Sequence, residues 1–284
     1  MSADGLGYCH GMRQPPNLPT GAVSDLAEQI AAVQWYHTIE LGDGLETPGW
    51  FDLRSIVPSV PFPDSLEGKR CLDIGTFDGF WAFEMERRGA SVLAIDVLDP
   101  TQWDWPAGSA AETVTAINER KRGGQGFELV ARLRGSHVER REVSVYDLRP
   151  EAIGQFDLVY MGSLLLHLRD PVLALSRVRA VCRGSVILCD AVDSAKSVLF
   201  PRQPLARLDG VGRPWWWRPN VAALERMVEA AGFRRLGNTE RVRMRPGRGA
   251  EQIMGIREAR GPVAQRLVDR VLQGPAAALD GHDL

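Results

Sequence analysis

The chain has 284 residues, of which 44% are hydrophobic and 25% are charged, and its formal net charge is −2. These values suit one sizeable globular domain with additions, and the near-neutral charge argues against a protein whose main partner is nucleic acid. No apolar run approaches the ~20 residues of a membrane span, so we expect a cytoplasmic protein without membrane contact. The four cysteines lack metal or redox spacing, and no cluster of His, Asp and Glu predicts a metal site.

Residues 1–66 are expected to form an N-terminal tail followed by a helical cap. The helix is predicted to start at an N-cap, Ser24. Its apolar face would carry Leu26, Ile30, Val33 and His37. A proline-rich segment then leads to the first strand of the sheet.

A short apolar strand beginning at Cys71 runs into a glycine turn, residues 75–79, and then a helix that starts at Phe80. Gly75 and Gly79 let the backbone approach a ligand, and the helix directs its N-terminal amides at that ligand. Asp96 ends the next apolar strand, 21 positions after Gly75. There its carboxylate can accept hydrogen bonds from both ribose hydroxyls, which indicates a nucleoside-cofactor site.

The spacing of the turn disfavours a dinucleotide. The pattern G-x-G-x-x-G would need glycines where Phe77 and Phe80 stand, and Phe77 would fill the space of a pyrophosphate. The methyltransferase pattern acid-x-Gly-x-Gly-x-Gly fits better, since Asp73, Gly75 and Gly79 match it. Asp73 can then lie near the methionyl ammonium of S-adenosylmethionine (SAM), so SAM is the expected cofactor.

The later elements predict an α/β fold with a doubly wound, Rossmann-like sheet. Buried strands are expected at Phe156–Met161 and Ser185–Ala191, and helix caps at Asp170 and Asn220. Two last strands, around Arg234–Met244 and Glu251–Arg257 and expected to be antiparallel, bring the count to seven, the number in SAM-dependent methyltransferases. The sheet's carboxyl edge is the expected ligand site.

Three regions complete the predicted organisation. The SAM-binding domain spans residues 67–258, with an insertion after the fifth strand (193–217) that would act as a substrate cap. Residues 259–284 are expected to form a C-terminal helix and tail. The mixed-charge run at 119–122, which includes Lys121, is interpreted as solvated surface.

The run from Leu72 to Ala90 resembles bacterial class I SAM-dependent methyltransferases. The nearest subgroup is the one related to the tRNA wobble-uridine (carboxy)methyltransferase. The leader, residues 35–50, and the later run 161–171 are similar to the same subgroup. The resemblance covers roughly Trp35 to Arg257.

The resemblance implies a set of cofactor contacts. Asp73 and the turn, with Gly75, Thr76, Phe77 and Gly79, would hold the methionyl part. The other implied positions are Asp96 and Val97 at the ribose, Val145 and Tyr146 at the adenine, Met161 on the pocket floor, and Tyr36 and Trp50 in a leader that closes over the cofactor.

The sequence departs from that subgroup at one position with chemical consequences. The wobble-uridine enzyme has a Tyr-His pair after its Met-Gly, whereas here Leu166 precedes His167 in a run one residue longer. Since that tyrosine helps to hold the carboxylate of carboxy-SAM, ordinary SAM is expected. The large N-terminal extension of that enzyme has no counterpart in this sequence, which speaks against tRNA as the substrate.

Two histidines are candidate general bases for methylation of a hydroxyl. His167 follows the fourth strand, where the methyl group should point; the alternative is a helix-entry residue that bonds the backbone. His37 is the second candidate, and the alternative is simple packing. Arg213, Trp215 and Trp216 could form a wall over a flat or apolar substrate, or dock the insertion onto the fold.

The sequence thus predicts SAM-dependent methylation of a small molecule, with oxygen as the expected target, in bacterial secondary metabolism. Two alternatives stay open: a tRNA wobble-uridine enzyme, and a protein that binds SAM without catalysis. An NAD-dependent oxidoreductase is disfavoured by Phe77 and Phe80. The acceptor and the oligomeric state do not follow from the sequence.

Overall fold

The structure is a computed structural model that describes most of the chain. The described residues are 20–42, 44–108, 121–211, 214–250 and 277–283. Within them, no helix has both the length and the apolar character needed to cross a membrane. The prediction for Arg213 and that for a strand around residues 251–257 lie outside the described residues.

The segment before the central sheet contains one helix and three short strands. Helix α1 spans Thr20–Ala31, and the strands are β1 (Glu40–Gly42), β2 (Leu45–Glu46) and β3 (Phe51–Asp52). The helix starts before Ser24 and ends before Val33, so the prediction of an N-cap at Ser24 is wrong. His37 therefore lies in a loop, where its backbone makes an isolated bridge to Phe51.

Five parallel strands form the centre of the molecule. They are β4 (Arg70–Ile74), β5 (Ser91–Asp96), β6 (Glu139–Glu142), β7 (Phe156–Gly162) and β8 (Cys182–Ala191), in the order β6-β5-β4-β7-β8. The sequences of β4, β5, β7 and β8 are apolar runs because helices cover both faces of such a sheet, whereas β6, at the edge, consists of charged residues. The predicted α/β fold is confirmed, and the carboxyl ends of these strands meet at one edge.

Helices pack on both faces of the sheet. They are α2 (Phe80–Arg87), α3 (Gln125–Arg134), α4 (Pro150–Ile153), α5 (Pro171–Val181), α6 (Ser194–Leu199) and α7 (Val221–Ala230). The side chains of Asp170 and Asn220 accept hydrogen bonds from the backbone N–H groups three residues further on, at 2.8 and 2.9 Å. The two predicted N-caps are therefore confirmed.

The insertion between β8 and α7 contains α6 and a hairpin. Its strands, β9 (Ala206–Leu208) and β10 (Trp217–Pro219), are antiparallel. The amide of Asn220 donates to the carbonyl oxygens of Phe200 and Gln203 at 3.0 and 2.8 Å. The residue that caps α7 therefore also fixes the insertion.

The last strands of the sheet are antiparallel. Two short strands, β11 (Arg234–Arg235) and β12 (Glu240–Val242), pair with β14 (Ala277–Asp283), which pairs with β8. The described residues thus give this sheet eight strands, not seven, and 277–283 is a strand where a helix and tail were predicted. Strand β13 (Arg245–Pro246) pairs with β3 and brings Met244 towards the site.

Candidate cofactor and active site

A cavity of about 580 Å³ opens at the carboxyl edge of the parallel strands. Its walls come from the leader, the glycine turn, the loops after β5, β6 and β7, and the insertion. Pockets of this size bind small molecules and cofactors, and such edges are where open α/β sheets bind their ligands.

The glycine turn presents its first half to the cavity. Gly75 has φ +73°, and a Cβ there would lie 3.3 Å from the side chain of Leu164. Phe77, which stands in place of the middle glycine of the pattern, also has a positive φ of 50°. The backbone therefore keeps the left-handed geometry that favours glycine, while the phenylalanine ring remains in the cavity wall.

Gly79 has a different role from the one predicted. It is the N-cap residue of α2 with φ +88°, and it is not among the residues that line the cavity. A Cβ at this position would lie 2.3 Å from the ring of Phe83 and 2.7 Å from that of Phe127. Its glycine is needed for packing, so the expected cofactor contact at Gly79 is wrong.

Asp73 and Thr76 line the cavity, and each has one buried polar atom without a hydrogen-bond partner among the described residues. Asp73 is 2% exposed, and burial raises the pKa of its carboxyl to about 7. Within the described part of the chain, neither Oδ2 of Asp73 nor Oγ1 of Thr76 has a hydrogen-bond partner. Buried polar atoms without partners are rare in proteins, and here they lie in residues that line a cavity.

Asp96 ends β5 at the same edge and is held by three donors. The backbone N–H of Val97 donates to Oδ1 at 2.8 Å, and that of Phe77 donates to Oδ2 at 3.1 Å. The ammonium of Lys121 lies 2.8 Å from the same Oδ2. The side chain of Lys121 is 2% exposed, so the prediction of a solvated surface is wrong at this residue.

Val145 and Tyr146 line the cavity beside Val97, in a 3-10 turn and not in a strand. The Tyr146 hydroxyl donates to Oδ2 of Asp104 at 2.9 Å, and burial raises the pKa of the phenol. Asp104 also accepts from the backbone N–H of Arg169, and its carbonyl oxygen accepts from the indole of Trp216. Asp104 thus joins three loops around the site, and no local motif marks it.

Met161 does not lie on the pocket floor. Alternate residues of a strand face opposite sides of the sheet, and β7 turns Tyr160 towards the cavity. Met161 is fully buried in the core on the other face, among residues such as Leu72 and Leu188. The predicted contact at Met161 is wrong, and Tyr160 is the strand residue that lines the cavity.

The leader contributes Tyr36, His37 and Trp50 to the cavity wall. The Tyr36 ring lies 5.7 Å from that of Trp50 and 5.8 Å from that of Phe77, so the leader packs on the glycine turn. Two amide or indole donors in this region, Nε2 of Gln34 and Nε1 of Trp50, are buried and have no partner among the described residues.

His167 ends a 3-10 turn that spans Leu165–His167. Oδ2 of Asp190 accepts from the backbone N–H groups of Leu164 and Leu165 at 3.0 and 2.7 Å, which fixes the turn. The imidazole is exposed and lines the cavity, and its Nδ1 lies 2.6 Å from the carbonyl oxygen of Pro214. Although the residue is exposed, protein atoms around the ring partly desolvate it, and this lowers the pKa of His167.

The tryptophans of the insertion separate into two roles. Trp215 lines the cavity, and its indole donates to Asp209 at 2.6 Å. Trp216 is not among the lining residues; its backbone N–H donates to Leu166 and its ring lies under the Arg169 guanidinium at 4.9 Å. The structure therefore places one tryptophan at the cavity and uses the other to attach the insertion.

The sequence profile of the family described as "Methyltransferase domain" matches residues 53–236, which is more than half of the chain. The chain belongs to this methyltransferase family. Residues 53–236 are therefore a SAM-dependent methyltransferase domain, as the sequence predicts.

Two curated relatives have different substrates in their names. The methyltransferase is 30% identical over 137 residues to the ubiquinone biosynthesis O-methyltransferase of Acinetobacter baylyi, which covers 48% of this chain and 49% of that protein. It is 28% identical over 174 residues to the tRNA U34 carboxymethyltransferase of Dichelobacter nodosus, with coverages of 60% and 47%. The chain thus spans about half the length of the curated relatives it matches.

A solved structure shares the fold over nearly its whole length. The N-terminal domain of EvdMO1, crystallised in the presence of S-adenosylhomocysteine (SAH) and D-fucose, superposes with a TM-score of 0.54 at 16% identity. The match covers 92% of this methyltransferase and 96% of that chain. At this identity the similarity shows the fold.

The residues of the cavity fit SAM. The unpartnered Oδ2 of Asp73 and the donors of Gln34 and Trp50 complement an ammonium and a carboxylate, the two ends of the methionyl group. The carboxylate of Asp96 has the acceptor oxygens that ribose hydroxyls require, and the Phe77 ring lies in the cavity wall. The donors and acceptors of these residues thus fit the groups of SAM.

Proposed function

We propose that this methyltransferase methylates an oxygen of an uncharged small molecule and that His167 removes the proton. Bound SAM would supply the methyl group on a positively charged sulfur. The protein would hold the acceptor hydroxyl in line with that methyl and take up the hydroxyl proton. Asp73, Gln34 and Trp50 would hold the methionyl end, and Asp96 the ribose.

The hydrogen bond of His167 is the observation that carries this proposal. A carbonyl oxygen only accepts, so Nδ1 of His167 carries the proton that it donates to Pro214. The other ring nitrogen, Nε2, is then unprotonated in the neutral ring and can act as a base. The lowered pKa of the ring keeps this form populated at neutral pH.

The charge of the cavity supports an uncharged acceptor. Among the described residues that line it, the carboxylates are Asp73, Asp96 and Asp104, and the one lysine, Lys121, is already paired with Asp96. A phosphate or carboxylate would meet no unpaired lysine or arginine in that part of the wall. Carboxy-SAM carries a second carboxylate besides the one assigned to Gln34 and Trp50, and no unpaired lysine or arginine in that part of the wall would pair with it, which supports SAM.

Apolar and aromatic side chains support an acceptor with a flat or hydrophobic body. They lie outside the residues assigned to the cofactor. Leu53 and Ile56 follow the leader, Trp81 is on α2, Tyr160 is on β7, and Met244 precedes β13. The Trp81 and Tyr160 rings are 4.7 Å apart. Such walls suit a phenol or a similar small aromatic alcohol.

The second candidate function is modification of the wobble uridine of a tRNA. The 28% identity to a tRNA U34 carboxymethyltransferase favours it. This function requires binding of a polyanion, which would depend steeply on salt.

Calorimetric titration with SAM, SAH, carboxy-SAM and NADH tests the cofactor part, followed by transfer of a labelled methyl group to a panel of phenols and to tRNA. We expect micromolar binding of SAM and SAH, weaker binding of carboxy-SAM, and methylated phenol. Preferred binding of carboxy-SAM, with labelled tRNA and no labelled phenol, would overturn the proposed acceptor. Binding of NADH alone would overturn the cofactor sites.

A further inference from the structure

The Lys121 side chain lines the cofactor cavity and places a buried positive charge there. Its ammonium lies 2.8 Å from Oδ2 of Asp96 and 3.3 Å from the carbonyl oxygen of Val97. The Phe77 and Trp103 ring centres are 4.8 and 4.7 Å from the same nitrogen. A charge is rarely buried unless it is paired, and here a carboxylate, a carbonyl and two aromatic faces surround it.

The donors around Asp96 limit what its carboxylate can still accept. An ionised carboxylate offers about four acceptor positions, two on each oxygen. Lys121 and the backbone N–H of Phe77 occupy both positions on Oδ2. The backbone N–H of Val97 occupies one position on Oδ1, so a single position remains.

A ribose that donates both of its hydroxyls to Asp96 needs two open positions. The sequence predicts such double recognition, but the occupied Oδ2 leaves room for one hydroxyl only. The obstacle is Lys121, because the two backbone donors belong to the turn and the strand end themselves and cannot be removed without refolding them.

We propose that Lys121 is a specificity-determining residue of the cofactor site, because it occupies Oδ2 of Asp96 and so restricts recognition by Asp96 to one ribose hydroxyl. This inference rests on the proposed position of the ribose at Asp96. It implies that the site tolerates the loss or substitution of the second hydroxyl, which a doubly recognised ribose would not.

Binding of SAH and of its 2′-deoxy and 3′-deoxy analogues to the full chain tests the inference by calorimetry. In the wild-type protein, one analogue should bind about as well as SAH and the other about tenfold or more weakly, the effect of losing a hydrogen bond to a charged group. In Lys121→Met the freed oxygen can accept the second hydroxyl, so both analogues should bind about tenfold more weakly than SAH.

The exposed Lys69 provides a matched control, since Lys69→Met removes a lysine outside the cavity and should retain the wild-type pattern. Equal weakening of both analogues in the wild-type protein, or of neither, would overturn the inference even if Lys121→Met failed to fold. A wild-type pattern in folded Lys121→Met would also overturn it. If SAH itself did not bind, the cofactor assignment would fall first.

Discussion

Nδ1 of His37 lies 2.5 Å from Oδ1 of Asp78, and this pair attaches the leader to the glycine turn across 41 positions of sequence. Oδ2 of Asp78 accepts from the backbone N–H groups of Tyr36 and His37 at 2.9 and 2.7 Å. The His37 ring stacks on Phe80 at 5.0 Å. These contacts give His37 a structural role, because they connect the leader to the glycine turn and the start of α2. We propose no proton transfer for it.

Asp78→Ala should therefore destabilise the protein strongly. It removes the acceptor for three hydrogen bonds in a buried region, and breaking a buried pair in this way costs about 3 to 5 kcal/mol. Urea denaturation would measure the free energy of unfolding, with the exposed Asp64→Ala as the control. A loss below about 1 kcal/mol would mean that the pair does not hold the leader.

Asp73 links pH, stability and cofactor binding. Its folded pKa of about 7 lies above the ordinary value of 3.8, so its contribution to stability is complete below the lower value and is lost as pH rises through about 7. Asp73→Asn should raise the free energy of unfolding of the unliganded protein by roughly 2 to 4 kcal/mol at pH 8 and leave it nearly unchanged at pH 4.

The same substitution should weaken SAM binding by about tenfold or more, because a neutral amide cannot pair with the methionyl ammonium. Unfolding curves at both pH values and calorimetry at pH 8 provide the measurements. A variant that binds SAM normally would exclude Asp73 from the methionyl site, whatever its stability.

Gln34 is expected to recognise the carboxylate end of the cofactor. Gln34→Leu should weaken SAH binding by about tenfold and leave 5′-methylthioadenosine unaffected, because that ligand lacks the amino-acid group. Gln102→Leu is the matched control, since Gln102 also lines the cavity but its amide already contacts Asp99. Equal weakening of both ligands in Gln34→Leu would indicate a general disturbance of the leader.

His167→Ala should lower kcat by about 100-fold or more with the Kd for SAM unchanged, and the exposed His137→Ala should leave both unchanged. The wild-type kcat should be constant at neutral pH and fall on acidification through a pKa below the usual 6.5, because protonation removes the free ring nitrogen. Turnover near the wild-type value in His167→Ala would exclude it as the base.

Trp215 and Trp216 offer a comparison of adjacent side chains. Trp215→Ala should raise the KM for the acceptor without a large change in Tm, since this ring lines the cavity. Trp216→Ala should lower Tm, because it removes the indole that donates to Asp104 and packs under Arg169. A lower Tm in Trp215→Ala together with a higher KM in Trp216→Ala would contradict both assignments.

The central elements could be predicted because their signals are local. Apolar runs marked β4, β5, β7 and β8, and Asp170 and Asn220 carried helix caps in their own sequence. Asp78, Asp104 and Lys121 could not be found in this way, since their hydrogen-bond partners lie 24 to 112 positions away. Residue-by-residue transfer of a pattern also misplaced Met161, where the alternation of the strand points the side chain to the other core.

Phe77 and Ser163 are the two described residues other than glycine with a positive φ, 50° and 52°, and both border the cavity. The backbone N–H of each donates a hydrogen bond, that of Phe77 to the Asp96 carboxylate and that of Ser163 to the carbonyl oxygen of Cys189 at 2.7 Å. The protein thus meets the conformational cost of these turns when it folds. A ligand that binds against these preformed turns loses little of its binding energy to ordering them, so we expect a small entropic penalty at this part of the cavity.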